Sequence, residues 1–143
     1  MHLPLFLLLG AAPAGPVCDL GPDAVVVHRL ADLPGAVATE VRRGFAAGGI
    51  AEAGAPYSAT DVMRAGLPQR QFLRAYGAGR YWILWFEQGG FASGQRTVAL
   101  RRVDPRAGGA ARYQMEPGTV FAGNLCDASK AILAGVRSAT AGP

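Results

Sequence analysis

The segment that most constrains this fold is a pair of aromatic and β-branched runs, residues 70–76 and 81–87, flanking Gly77-Ala78-Gly79-Arg80. Such a pattern specifies a β-hairpin, and because side chains alternate between sheet faces, the register decides which set is buried. Pairing Tyr76 with Tyr81 across a four-residue turn sets Phe72 opposite Trp85 and Arg70 opposite Glu87. One face then carries Leu73, Ala75, Trp82, Leu84 and Phe86, all apolar, and should pack on a helix. The other carries Arg70, Phe72, Arg74, Tyr76, Tyr81, Ile83, Trp85 and Glu87. A one-residue slip would mix the two sets and lose the Arg70–Glu87 pair.

The flanking sequence supplies the remaining layers. Val25, Val26 and Val27 mark a short first strand, with His28 as a strand residue that finds a hydrogen-bond partner. Asp32 is placed to cap a helix, with Leu33 and Pro34 in its first turn. Val37, Val41, Gly44 and Phe45 recur at helical spacing, Glu40, Arg42 and Arg43 fall elsewhere, and Gly48-Gly49 ends the pattern. Residues 50–69 are broken by Gly54, Pro56, Gly66 and Pro68 and read as a long connection, with one helical turn near Ser58 to Met63.

After a turn at residues 89–94, residues 96–103 read as a strand with Val98 and Leu100 on one side and Thr97, Ala99 and Arg101 on the other. Residues 113–115 and 119–122 offer a further short strand. A closing helix starts at Asp127, which would cap it, and ends near Gly135; the tail from Ser138 is expected to fray.

The expected class is α+β: an N-terminal strand and helix packed on an antiparallel three- to four-stranded meander, with a closing C-terminal helix. In topology alone, the helix-then-meander order resembles the core of cystatin-like folds. The Gln-x-Val-x-Gly loop of cystatin inhibitors is absent: residues 119–123 lack the Gln, and Gln88-Gly89-Gly90 lacks the rest. No residue role or activity is carried over.

Residues 1–14 read as a secretory signal, an apolar run from Leu3 to Leu9 followed by Ala12 and Ala14 at the −3 and −1 positions of a peptidase site. The run is far shorter than the ~20 residues that span a bilayer, so no permanent membrane anchor is expected. Residues 15–143 then form one exported domain, periplasmic or secreted. Its two cysteines, Cys18 and Cys126, are expected to pair in that oxidising setting and tie the ends together.

The formal charge of +4 is localised. Acids and bases balance from residue 15 to 94 and from 113 onward, which leaves Arg96, Arg101, Arg102, Arg106 and Arg112 against Asp104. Such a stretch either attracts an anionic partner or protects a strand edge from pairing.

Chemistry-bearing clusters are sparse. His28 is the one histidine after the leader, and no His/Cys/Asp/Glu spacing suggests a metal or other cofactor. Ser93 lies in Gly90-Phe91-Ala92-Ser93-Gly94, one position away from a nucleophile elbow. Glu87 with Asp61 could serve as a carboxylate pair in a small hydrolase.

The leading expectation is a non-enzymatic binding or inhibitor-like domain. It would meet a protein or an anionic envelope component through Arg70, Phe72, Arg74, Tyr76, Tyr81, Trp85 and Glu87, assisted by the basic stretch. Export and modest charge argue against nucleic acid. The alternatives are the Glu87/Asp61 hydrolase and a self-associating homodimeric module.

Overall fold

A computed structural model of the chain describes residues 18–62, 64–105 and 108–139. The leader read at residues 1–14 lies outside the described residues, as do Met63 and Arg106.

Strands β1 (Val25–Val27), β2 (Arg70–Ala78), β3 (Tyr81–Gln88), β4 (Gly94–Val103) and β5 (Arg112–Met115) form one antiparallel sheet in sequential order. Helix α1 (Gly35–Gly44) covers one face and helix α2 (Leu125–Leu133) the other. The α+β architecture is therefore as expected, with β1 joining the meander as its fifth strand. No helix among the described residues is long and apolar enough to cross a membrane.

The hairpin register differs from the expected one. Ala78 pairs with Tyr81 and Tyr76 with Ile83, so the turn is only Gly79-Arg80. Gly79 takes a φ of 56° while no non-glycine residue among the described residues has a positive φ, the arrangement of a type II′ turn. Gly77 becomes a strand residue instead of a turn residue. A side chain there would strike the Trp82 indole, so the glycine lets that ring lie across the strand.

A two-residue shift preserves the face of every side chain, which is why Ala75, Trp82, Leu84 and Phe86 still face α1. A β-bulge between Phe72 and Arg74 then moves the ladder by one residue. The bulge sends Phe72 to the α1 face and leaves Leu73 on the α2 face, reversing the expectation for both. Arg70 now lies opposite Gln88, and Gln71 opposite Glu87, so the expected Arg70–Glu87 pair does not form.

The α1 core unites Val37, Val41 and Phe45 with Phe72, Leu84, Phe86, Val98 and Leu100. The helix begins later than Asp32, which sits in a 3-10 turn at Leu30–Asp32. Leu33 precedes Pro34 and both take ψ of 143°, as pre-proline sterics favour for Leu33, so the helix starts only at Gly35. Gly44 admits the side chain of Met115, drawing β5 against the helix.

The second core unites Tyr76, Ile83, Trp85 and Ala99 with Leu125 and Ile132 of α2. This helix starts before Asp127: Asn124 is its N-cap, accepting the Asp127 N–H through Oδ1 at 3.0 Å. The Cys18–Cys126 disulfide forms as expected, joining the first described residue to the first turn of α2.

Among the described residues of the connection at 52–69 there is no helix or strand, and Ser58 to Val62 form no helical turn. The Ser58 N–H donates to Pro68 O, and the Ser58 hydroxyl accepts the Arg64 N–H, closing the segment on itself. Residues 119–122 add only a bridge between Ala122 and Arg96, while Thr97 and Thr119 are fully buried: the Thr97 hydroxyl donates to Thr119 O, and the Thr119 hydroxyl accepts the Ala99 N–H. Ser138 donates its N–H to Gly118 O, so this part of the tail is tied down.

Candidate functional site

The structure divides the residues expected to form one binding face. Phe72 is wholly buried under α1, and Arg70, 9% exposed, lies on that side too. Arg70 donates to Ala47 O and to Gln88 Oε1 and stacks over Phe45, bracing the chain beyond the end of α1. Neither residue is presented to a partner.

Arg74, Tyr76, Tyr81 and Trp85 do share the opposite face, but α2 covers most of it. Tyr76 is 3% and Trp85 8% exposed. The Trp85 Nε1–H donates to Ser129 Oγ of α2 at 2.8 Å. Tyr81 is partly covered by Arg137, whose guanidinium lies over its ring and donates to its hydroxyl at 2.9 Å. An open aromatic platform is thus corrected to a covered one. Apolar area of this size is worth more buried than wet, and the disulfide holds α2 in place to bury it.

What stays open is a cleft of about 530 Å³ at the edge of α2. Leu73, displaced to this side by the bulge, forms one wall with Arg74 and Trp85; Gln95 of β4 and Asn124 to Cys126 at the start of α2 close the rest. Arg74 lies over the Trp85 ring at 5.3 Å, and its Nη1 donates to Tyr76 Oη at 3.3 Å. No ion pair to Arg74 forms among the described residues. A half-buried guanidinium over an indole, without an ion-pair partner among the described residues, can receive an anionic acceptor.

Among the described residues, the basic stretch is spread over both ends of β4 and the start of β5. Arg96 lies at one end of β4, bonded to the carbonyls of Ala92 and Gln95 in the turn. At the other end Arg101 pairs with Glu116, while Arg80 and Arg102 share Asp104. Arg112 is exposed and lines a second cleft between α1 and β5 with Arg43 and Glu40.

Asp61 is exposed in the 52–69 connection, and Glu87 is half-buried near the end of β3. Burial, and then the charge of Glu87, push the Tyr57 phenol above its ordinary value. His28 follows β1 and is exposed instead of lying in a strand. Ser93 is exposed in the β3–β4 turn, and no group of three metal-ligating side chains occurs among the described residues.

Sequence reasoning named Arg74 and Trp85 but missed Gln95, Asn124 and Leu125, which come from elements distant along the chain. The one available signal was Asn124, three residues before Asp127, a spacing suited to an N-cap. Comparison with protein-family models, curated proteins and solved structures finds no match to this chain.

Proposed function

We propose that the chain is an exported, non-enzymatic binding domain that receives an anionic group of a protein or envelope component in the cleft beside α2. The carrying observation is Arg74, stacked on Trp85 and without an ion-pair partner, at the wall of an open cleft. The leader-like residues 1–14 and the Cys18–Cys126 disulfide support the exported setting. Binding through this cleft needs no rearrangement of the covered part of the hairpin face.

Native mass spectrometry of the protein recovered from its own host's envelope or medium tests the role. The wild type should carry a discrete added mass that Arg74→Gln lacks, with both variants showing the same unfolding midpoint. An adduct that survives in Arg74→Gln would place binding elsewhere. A doubled mass, unaffected by the substitution, would instead favour the self-associating module.

A further inference from the structure

We infer that the group received beside α2 is a carboxylate carried on an apolar body, an inference that rests on the binding role proposed above and specifies its ligand. Three features of the cleft point to this chemistry. The first is charge. Arg74 is the one cation among the lining residues, and Asn124, not a charged group, caps the helix that borders it.

The acids of the adjoining elements leave Arg74 unpaired. Asp127 is exposed in the first turn of α2, and Glu87 lies two positions beyond Trp85 on β3. Neither pairs with Arg74. A lining with one cation and no acid suits a ligand with a single negative charge better than one with two.

The second feature is orientation. Contact with the Trp85 ring and the hydrogen bond to Tyr76 Oη hold the guanidinium in place, leaving further N–H donors for a ligand. A planar, two-oxygen acceptor matches that fork, and the ordering cost of Arg74 is largely met before binding. The Gln95 side-chain amide, which bonds to nothing else among the described residues, adds a donor at the exposed rim.

The third feature is the wall opposite the charge. Leu73, Leu125 and the indole of Trp85 are hydrocarbon surfaces. A phosphate ion would lose hydration against them without return, whereas an alkyl or aromatic body would gain from the contact. The volume of about 530 Å³ falls within the range of roughly 300–1,000 Å³ typical of sites for small organic ligands. Two sources share this chemistry: a free amphipathic acid, and a peptide whose terminal carboxylate follows an apolar side chain.

Isothermal titration of the full disulfide-bonded chain separates the outcomes. The probes are octanoate, octanol, inorganic phosphate, and a short Leu-terminated peptide as free acid and as amide. Octanoate or the free-acid peptide should bind one-to-one, with at least tenfold loss in Arg74→Gln and partial recovery in Arg74→Lys. Octanoate alone would assign a free acid, and the free-acid peptide alone a chain terminus.

Gln95→Glu, at an exposed position, adds a negative charge at the rim and should weaken the same ligand tenfold without disturbing the fold. This variant decides the matter if Arg74→Gln does not fold. Equal binding of octanol or the amide would overturn the role of the carboxylate, and tighter binding of phosphate would overturn that of the apolar body. An Arg74-dependent native adduct together with silence from every probe would overturn the ligand class and leave the binding role standing. Absence of any such adduct would remove the role itself.

Discussion

Glu40 of α1 accepts the backbone N–H of Met115 at 2.9 Å, so a helical carboxylate completes the hydrogen bonding of the last strand, 75 residues away. The same carboxylate takes two donors from Arg43. Arg43 is exposed, so that ion pair adds little by itself; the part-buried link to Met115 matters more. Glu40→Ala, which leaves the Met115 N–H without its acceptor, should cost about 1–3 kcal/mol at neutral pH, read from urea unfolding.

The pH dependence of that loss has a definite sign. The Arg43 hydrogen bonds, opposed by burial and aided by Met115, hold the Glu40 pKa below its ordinary 4.5. The unfolded chain therefore binds the proton first. The stabilisation is complete above about 4.5 and fades as pH falls through the depressed folded value. The gap between Glu40→Ala and wild type should narrow on acidification. Glu52 adds an acid-sensitive contribution of the same sign. Burial opposes its charge, but the N–H groups of Leu30, Ala53 and Ala31 and the charge of Arg29 prevail.

The Cys18–Cys126 bridge closes a loop with a sequence separation of 108. On the chain-entropy model its loss costs up to about 5 kcal/mol. Because Cys126 also borders the cleft and starts α2, replacing both cysteines with alanine should weaken ligand binding along with stability. Thermal unfolding and titration of the same variant would test both effects.

Leu73 supplies the extra residue at the bulge. Deleting it would join Phe72 to Arg74 with their present partners, Phe86 and Trp85, and would leave both faces unchanged. The deletion should therefore still unfold cooperatively, at a cost of about 1–3 kcal/mol for the lost apolar contacts, and should lose a cleft wall. Deleting Ala75 instead would flip the faces of the preceding strand residues and should abolish cooperative unfolding. Circular dichroism during urea titration distinguishes them.

The sequence made the sheet faces legible, because the alternation of residues 81–86 and the helical spacing of Val37, Val41 and Phe45 are local patterns. Register was less accessible: a two-residue shift leaves every face intact, so periodicity cannot separate Tyr76 paired with Tyr81 from Tyr76 paired with Ile83. The bulge at Leu73 reconciles the turn geometry of Gly79-Arg80 with burial of Phe72, a balance no single window contains. Glu40 escaped notice for a similar reason, since its partner arrives from β5. At the site, Arg74 and Trp85 stood out as an aromatic–cationic pair. Their enclosure depended on where α2 docks, which the disulfide and the burial of Leu125 and Ile132 decide together.

The two tryptophans provide the most direct test of the cleft. Trp85 lies in its wall, while Trp82, three residues earlier, faces α1 on the other side of the sheet. Their indole N–H resonances can be followed by NMR as octanoate or the free-acid peptide is added. The account predicts a saturable shift of Trp85, a still Trp82, and no movement of either in Arg74→Gln. Equal movement of both indoles, or a motionless Trp85 at saturating ligand, would contradict it.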